Sequence, residues 1–432
     1  MTQAGTLSWF GIVRLGLVQM CLGSIVVLTT STLNRLMVVE LALPAILPGL
    51  LVGLHYGVQM TRPNWGFLSD ETGRRGPWIL GGMALLGAGA VAAAWVIQLF
   101  AAQFVLALGL SVLAYAVIGL GVGASGTSLL ALLATTTAPK RRAAAATITW
   151  LMMIAGIAVT AGVVGALLDP YTAQRLLGIV GAVVVGAIIL TWLAIFRVER
   201  GLAPVRRDTQ NRASFGDALR EIWSDQKARR FTIFVFLSMI AYFMQELILE
   251  PYAGLVFQFT PGQSTSLSGA QNGGVFLGML VVGIAVTGLS IGSLRGWVTA
   301  GCLGSALSLG AIAALGSIGP GAPLQAAVVG LGFFNGMFAV AAIGTMMALA
   351  GDDGGGREGT RMGLWGAAQA LAAGFGGLIG AGAVDLLRLA MTDHLAFGMV
   401  FVAEAALFVA AAGLAVKAVQ PRVDNTQLIA GE

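Results

Sequence analysis

Residues 66–75 read GFLSDETGRR and lie between two long apolar runs. The segment contains Gly66, Asp70, Gly73, Arg74 and Arg75, in the spacing G-x-x-x-D-x-x-G-R-R. An apolar run of about 20 residues is long enough to cross a membrane as a helix. The charged segment therefore predicts a tight turn that joins two membrane spans at the membrane surface.

The composition of the whole chain places this turn in a membrane protein. Of its 432 residues, 57% are hydrophobic and 10% are charged, whereas about 25% of residues are charged in soluble domains. Apolar runs predict an all-α integral membrane protein with twelve transmembrane helices. These spans lie near residues 14–33, 44–66, 77–99, 104–133, 143–167, 174–196, 231–255, 268–290, 297–317, 323–349, 362–386 and 395–416. We expect the first span to be retained, since the start shows no signal-peptide pattern.

Basic residues are unevenly distributed between the two sides of the predicted spans. If both termini face the cytoplasm, only Arg35, Arg175 and Arg388 lie on the opposite side. Because Lys and Arg accumulate in cytoplasmic loops, we predict that both termini are cytoplasmic. The same asymmetry accounts for the net charge of +5, so we expect no nucleic-acid partner.

The longest polar segment divides the spans into six and six, an arrangement common in transporters. We predict an N-terminal half of residues 1–200, a cytoplasmic linker of residues 201–229 and a C-terminal half of residues 230–432. In the linker, Ser214 and Asp217 precede an apolar stripe and predict a short amphipathic helix on the membrane surface. A fully solvated linker helix is the alternative.

With this layout, the loop at residues 66–75 resembles the signature loop of the major facilitator superfamily in both position and spacing. The resemblance implies the major facilitator fold, with two pseudo-symmetric halves of six helices. It also implies a charge-relay loop that holds one conformation, formed by Gly66, Asp70, Gly73, Arg74 and Arg75. The corresponding loop of the second half, GLSIGSLRGW, has Arg295 but no acid.

Polar side chains inside two predicted spans indicate a functional site. Their spacing places each set on one face of its helix. The residues are His55, Gln59 and Arg62 in the second span, and Tyr242, Gln245, Glu246 and Glu250 in the seventh. An ionised carboxylate at mid-depth in a membrane costs roughly 2.5 kcal/mol or more. Such residues therefore indicate a pathway or a bound partner.

Four separated segments resemble one narrower family. The segments NRLMVVEL, GLHYGVQMTRPNWGFLSD, QELILEPYAG and RMGLWGAAQA are similar to the PucC/LhaA family of purple phototrophic bacteria. The resemblance implies a non-enzymatic factor that binds bacteriochlorophyll and delivers it to the antenna polypeptides of LH1 or LH2. It implies the intracytoplasmic photosynthetic inner membrane as the location. Further implied partners are a bacteriochlorophyll synthase, the protein-insertion machinery and lipid.

This resemblance gives His55 a candidate role. Magnesium in the pigment takes an axial nitrogen or oxygen ligand, and a neutral imidazole provides one without adding charge. Gly53 and Gly57 leave room beside it for a large ring, or alternatively for a close helix contact with His55 bonded to a neighbouring span. The other candidates for pigment binding, each with packing or pairing as the alternative, are Gln59, Arg62, Tyr242, Gln245, Glu246, Glu250, Trp365 and Gln369. We expect no other metal ligand.

Two other functions stay open. The first is a small-solute transporter, although the signatures of proton-coupled drug antiporters are missing from spans four and five. The second is a bacteriochlorophyll synthase or a synthase subunit. A prenyl-transferring synthase needs acidic loops to hold a magnesium diphosphate, and here the adjacent acids Asp352 and Asp353 have no second acidic motif. We therefore expect no enzymatic activity.

Overall fold

The computed structural model describes residues 7–62, 65, 69, 74–138, 141–199, 226–289, 291–351 and 358–418. Within these ranges the chain is helical, without strands, and each of the twelve predicted spans coincides with a helix. Ten of these helices are long and apolar enough to cross a membrane, or eleven with one bent pair counted as a span. The protein is therefore a multi-pass membrane protein.

The helices are numbered by span. The N-terminal half contains α1 (Trp9–Glu40), α2 (Ile46–Val58), α3 (Gly76–Val96), α4 (Phe104–Thr136), α5 (Arg142–Leu168) and α6 (Ala173–Ile195). The C-terminal half contains α7a (Gln226–Met244), α7b (Leu249–Phe257), α8 (Pro261–Gly283), α9 (Leu294–Leu315), α10 (Leu324–Gly351), α11 (Glu358–Arg388) and α12 (Asp393–Ala418). The predicted linker and its amphipathic helix fall largely on residues 200–225, outside the described residues, and remain predictions.

The predicted spans and the observed helices differ most in α1 and α2. Within α1, residues Leu28–Thr32 and Leu36–Glu40 form wider π-helical turns, which often occur at functional sites. Regular α2 has only 13 residues and continues as a tight 3-10 turn, Gln59–Thr61. The buried polar residues Asn34 and Arg35 of α1 lie between its two π-helical segments.

Each half has its own hydrophobic core, and the halves meet along two helix pairs, α5 with α8 and α2 with α11. The contact between α5 and α8 depends on glycine. A Cβ atom on Gly269 would lie 2.6 Å from the backbone nitrogen of Gly162, and one on Gly262 would lie 2.5 Å from the carbonyl oxygen of Gly165. Because both distances are shorter than a carbon atom tolerates, only glycine permits this approach.

Two names are used below for the ends of the helix bundle. The linker end is where α6 ends and α7a begins. The closed end is the opposite one, where α1 ends and α2 begins. At the closed end, Asp169 follows α5 and accepts hydrogen bonds from the Gly262 nitrogen and the Thr260 hydroxyl in the other half. The two halves are thus joined directly at this end.

Candidate functional site

The predicted stripe on α2 is a chain of hydrogen bonds. Arg62 donates to Oε1 of Gln59, and Nε2 of Gln59 lies 2.9 Å from Nε2 of His55. Because Arg62 occupies the amide oxygen, the amide nitrogen donates to the imidazole, and the imidazole proton must then be on Nδ1. This Nδ1 is buried and has no hydrogen-bond partner among the described residues. The lone pair that would bind magnesium is therefore engaged by Gln59.

His55 itself is enclosed. Its side chain is 2% exposed, and a Cβ on Gly119 of α4 would lie 2.6 Å from its carbonyl oxygen. Beside Gly57, by contrast, a Cβ would meet no atom within 4 Å, and beside Gly53 only the Gly374 carbonyl at 3.8 Å. A side-chain carbon would thus fit at both glycines. Because residues two positions apart in a helix are separated by roughly 200° around its axis, Gly53 and Gly57 lie on the face of α2 opposite to His55.

A second group of polar residues crosses between the halves. The ring of Tyr56 on α2 meets Phe243 on α7a edge to face, with ring centroids 6.1 Å apart. Glu246 lies close enough to Tyr56 and Tyr242 to interact with both phenols electrostatically. The structure therefore brings the predicted residues Tyr242 and Glu246 next to the residues of α2. Sequence reasoning missed Tyr56 because it falls outside the i, i+4, i+7 stripe.

The seventh span is broken beside this group. Residues Gln245–Leu247 form a 3-10 turn, and the axis bends by 41° between the segments before and after it. Pro251 explains the break, because proline lacks an N–H and its ring clashes with the carbonyl four residues earlier, which is that of Leu247. Asn34 of α1 donates to this freed carbonyl at 2.8 Å. An amide from one half thus satisfies the break in the other.

Glu250 occupies a different place from Glu246. It is 1% exposed, and its Oε1 accepts a hydrogen bond from the Ser268 hydroxyl of α8 at 2.5 Å. Arg35 of α1 lies near enough to act on it electrostatically. Glu250 therefore belongs to the packed contact between the halves near the closed end, while Glu246 faces the tyrosines of the central group.

Three further hydrogen bonds join the halves at the closed end. The Asp385 carboxylate of α11 accepts from the backbone nitrogens of Ala45, at 3.0 Å, and Ile46, at 2.7 Å. It therefore caps the N-terminus of α2, where a negative charge is stabilising. Arg35 donates to the Phe259 carbonyl at 2.7 Å. We call the side chains Asn34, Arg35, Asp169 and Asp385 the closed-end latch, since each bonds to backbone of the opposite half.

Two cavities also lie at the closed end. One has a volume of about 400 Å³ and is lined by residues that include Glu40 and Tyr171. Burial and the nearby Glu40 carboxylate raise the pKa of Tyr171, a residue of the loop before α6. The other has a volume of about 340 Å³ and lies between the halves beside Asp169. The residues that line these cavities do not include His55 or Glu246.

Several predicted residues cannot be placed. Gly66, Asp70 and Gly73 of the charge-relay loop lie outside the described residues, as does the Trp365 side chain, while Gln369 is half-buried on α11. Arg74 is exposed. Arg75 donates to the Ala131 carbonyl at 2.8 Å, and its backbone nitrogen donates to Glu199 at 2.7 Å. Arg75 thus bonds to α4 and to Glu199 beyond the end of α6, and the role of the loop as a charge relay remains a prediction.

Comparison with known proteins identifies relatives along nearly the whole chain. The family model described as PUCC protein matches residues 32–423. A protein of Rhodobacter capsulatus named "Bacteriochlorophyll synthase 44.5 kDa chain" is 65% identical over 418 residues, which cover 96% of this chain and 97% of that protein. "Protein PucC" of Cereibacter sphaeroides is 29% identical over 90% of this chain and 86% of that protein.

Solved structures confirm the predicted major facilitator fold. A peptide transporter, POT, in complex with sulfate superposes with a TM-score of 0.69 at 16% identity, covering 96% of this chain and 97% of that one. A bacterial homologue of the human lysosomal transporter Spinster, inward-facing and unoccupied, gives a TM-score of 0.67 at 15% identity, covering 95% and 96%. At these identities the likeness concerns the fold alone.

The comparisons correct two predictions. The sequence predicted a non-enzymatic antenna assembly factor, whereas the 65% identical relative is named as a chain of bacteriochlorophyll synthase. The four motif segments identify the family but do not separate the functions of its members. The prediction of no enzymatic role relied on the lack of a second acidic motif. That inference was wrong, because one chain of an enzyme complex does not itself need to bind the diphosphate.

Proposed function

Since this chain belongs to the PucC protein family, we propose that it is a membrane chain of a bacteriochlorophyll synthase. The observation that carries the proposal is the 65% identical relative of that name, which matches this chain over almost its full length. In the reaction we propose, a carboxylate oxygen of bacteriochlorophyllide forms an ester bond with the terminal carbon of the prenyl group of geranylgeranyl diphosphate, while the bond from that carbon to the diphosphate breaks and diphosphate leaves. This chain holds the pigment in the membrane while the ester forms.

The proposed pigment site lies between α2, α7a and α11, at the polar stripe of α2 and the group formed by Tyr56, Tyr242 and Glu246. The aromatic rings of Tyr56 and Tyr242 suit a flat, apolar macrocycle. Arg62 lies at the linker-end side of α2 and is exposed. A guanidinium binds carboxylates well, so we assign to it the carboxylate of the substrate.

The remaining candidate residues have proposed roles around the same space. His55, once released by Gln59, supplies an axial nitrogen to the magnesium that the pigment carries. Glu246 and Gln245 lie at the break between α7a and α7b. Glu246 accepts hydrogen bonds from polar groups on the edge of the macrocycle, and Gln245 donates hydrogen bonds to such groups or accepts from them. Gln369 of α11 contributes its amide to the site in this proposal, and Trp365 stays a candidate for pigment binding.

We further propose the partners and the location. The prenyl-transferring subunit of the synthase binds this chain near the linker end, and antenna polypeptides receive the finished pigment from the complex. The membrane is the inner, photosynthetic membrane, with the linker end and both termini on the cytoplasmic side. The uneven distribution of Lys and Arg supports this orientation.

The proposal is tested by esterification in membranes. Membranes from a pigment-making host that lacks this chain are supplied with bacteriochlorophyllide and geranylgeranyl diphosphate, and the esterified product is measured by chromatography. We expect loss of product without the chain and recovery with the wild type. Arg62→Gln should weaken the apparent affinity for bacteriochlorophyllide by about 10- to 100-fold, because hydrogen bonds to charged groups contribute roughly 1.5–3 kcal/mol.

Arg175→Gln is the matched control, since Arg175 is an exposed cation at the closed end that bonds to the Pro170 carbonyl. It should esterify like the wild type. Equal product formation with and without the chain would refute the proposal. Product formation by the purified chain alone would show that it also catalyses the transfer.

A further inference from the structure

A buried carboxylate at the contact between the halves has one unsatisfied oxygen. Glu250 of α7b is 1% exposed, and its Oε1 accepts from Ser268 of α8 at 2.5 Å. The Ser31 hydroxyl of α1 lies next to the same carboxylate. Oε2 has no hydrogen-bond partner within the described part of the chain. A buried polar atom of this kind costs free energy unless something binds it.

The surroundings of this carboxylate are rich in hydroxyl groups. Ser264, Thr265 and Ser268 follow one another along α8 and are buried. The Thr265 hydroxyl also reaches Thr32 of α1 at 3.3 Å, across the boundary between the halves. Hydroxyl oxygens next to Glu250 are thus supplied by Ser31 of α1 and by Ser268 of α8.

The nearest cation does not neutralise Glu250. Arg35 forms an ion pair with Glu40 at 2.5 Å, and its other terminal nitrogen donates to the Phe259 carbonyl at 2.7 Å. It acts on Glu250 electrostatically but forms no hydrogen bond with it: its two terminal nitrogens are bonded elsewhere, and its Nε has no hydrogen-bond partner among the described residues. When Glu250 is ionised, one guanidinium thus serves two carboxylates, and one negative charge stays uncompensated in a buried place. Either a proton or a bound cation balances this charge.

We propose that Glu250, Ser31 and Ser268 bind one sodium ion between the two halves. Carboxylate and hydroxyl oxygens are hard ligands that suit hard cations. A single uncompensated charge fits a monovalent ion and gives a divalent ion too little charge balance. Repulsion from Arg35 makes the site weak. Since the ligands come from both halves, the ion holds the closed end together. The proposal goes beyond the proposed function and does not depend on it.

The test uses the full-length protein, purified in mild detergent. The midpoint of thermal unfolding is measured during titration with NaCl, while choline chloride keeps the ionic strength constant, and KCl replaces NaCl in a parallel series. A bound ligand raises the midpoint in a saturable manner. We expect such a rise with sodium, a much smaller one with potassium, and loss of the sodium response in Glu250→Gln and Ser268→Ala.

Glu404→Gln is the control, because Glu404 is a fully buried acid of α12 whose two oxygens have no described partner. It should keep the sodium response. If Glu250→Gln does not fold, binding of radioactive sodium to the wild type and to Ser31→Ala replaces it, with weaker binding expected in the variant. A sodium response retained without the Glu250 carboxylate would overturn the proposal. So would a midpoint that depends on pH, through Glu250, and not on sodium.

Discussion

Asn34 shows how a single amide stabilises a break in a distant helix. Pro251 frees the Leu247 carbonyl, and Asn34 donates to it across the boundary between the halves. In a buried place this carbonyl has no water to replace the amide. Removal of the Asn34 amide therefore lowers the free energy of unfolding by more than one ordinary hydrogen bond, because it leaves the buried carbonyl without a donor.

Asn34→Leu should lower the free energy of unfolding by about 1–3 kcal/mol, the cost of one stranded buried acceptor. Thermal unfolding in detergent measures the change. The same substitution in a Pro251→Ala background is the control. There the Leu247 carbonyl can accept from the residue 251 nitrogen within the helix, so the loss should be smaller. An equal loss in both backgrounds would contradict this explanation.

His55 yields a prediction about the pigment ligand. Its Nε2 is held by Gln59, so Gln59→Leu should free the lone pair and strengthen pigment binding, whereas His55→Ala should abolish the ligand. The near-infrared absorption band of protein purified from a pigment-making host measures both effects. His394→Ala is the control, since His394 is the only other histidine and lies at the closed end on α12. A band that is unchanged in His55→Ala would reject His55 as the ligand.

Sequence spacing predicted the His55, Gln59 and Arg62 stripe, because the geometry of one helix fixes which of its residues are neighbours. Asn34 and Tyr56 were not among the predicted site residues. Each acquires its role through a contact with α7, about 190 to 210 positions along the chain, and the period of a helix carries no information about such contacts.

At the scale of helices, the glycine contact between α5 and α8 sets how closely the halves approach. Predicted spans followed from apolar length alone, and the structure places a helix at each. The π-helical turns of α1 and the shortness of α2 did not follow from the same pattern. They arise from packing against other helices, which apolar length does not record.

Gly269→Val should separate the halves at the closed end, since even a Cβ at this position would lie 2.6 Å from the Gly162 nitrogen. Spin labels at Gln174→Cys and Ser317→Cys, both exposed at the closed end of opposite halves, report the distance by pulsed electron resonance. The native thiols Cys21 and Cys302 are buried. The distance should increase.

Gly273→Val is the matched control on the same helix, because a Cβ there meets no atom within 4 Å. It should leave the distance as in the wild type. An unchanged distance in Gly269→Val, with the protein folded, would show that the α5–α8 contact adapts without separating the halves.

For the whole molecule, the sequence predicted the class, the fold and the family, since composition and dispersed motifs are properties of the entire chain. The function was predicted wrongly, because residues shared by all members of a family cannot distinguish one member from another. The orientation in the membrane is still a prediction. It rests on Lys and Arg counts, which the arrangement of helices does not test.

The orientation is tested by labelling single thiols in intact cells with a membrane-impermeant reagent. Ser317→Cys, at the closed end, should react from outside, and Ile291→Cys, exposed at the linker end, should react only after the membrane is permeabilised. The reverse pattern would place the termini outside. Labelling of the wild type gives the background from the buried cysteines.

The closed-end latch pairs side chains of one half with backbone atoms of the other: carbonyls of Leu247 and Phe259, and nitrogens of Ala45, Ile46 and Gly262. Every residue type has a backbone carbonyl, and every type except proline has a backbone N–H. Each half can therefore accumulate substitutions at Ala45, Ile46, Leu247 and Phe259 without a matching change in its counterpart, whereas Gly262 must stay glycine because α5 approaches it closely. A hybrid protein assembled from the N-terminal half of one relative and the C-terminal half of another should still form the closed-end latch, provided each half contributes its own latch side chains.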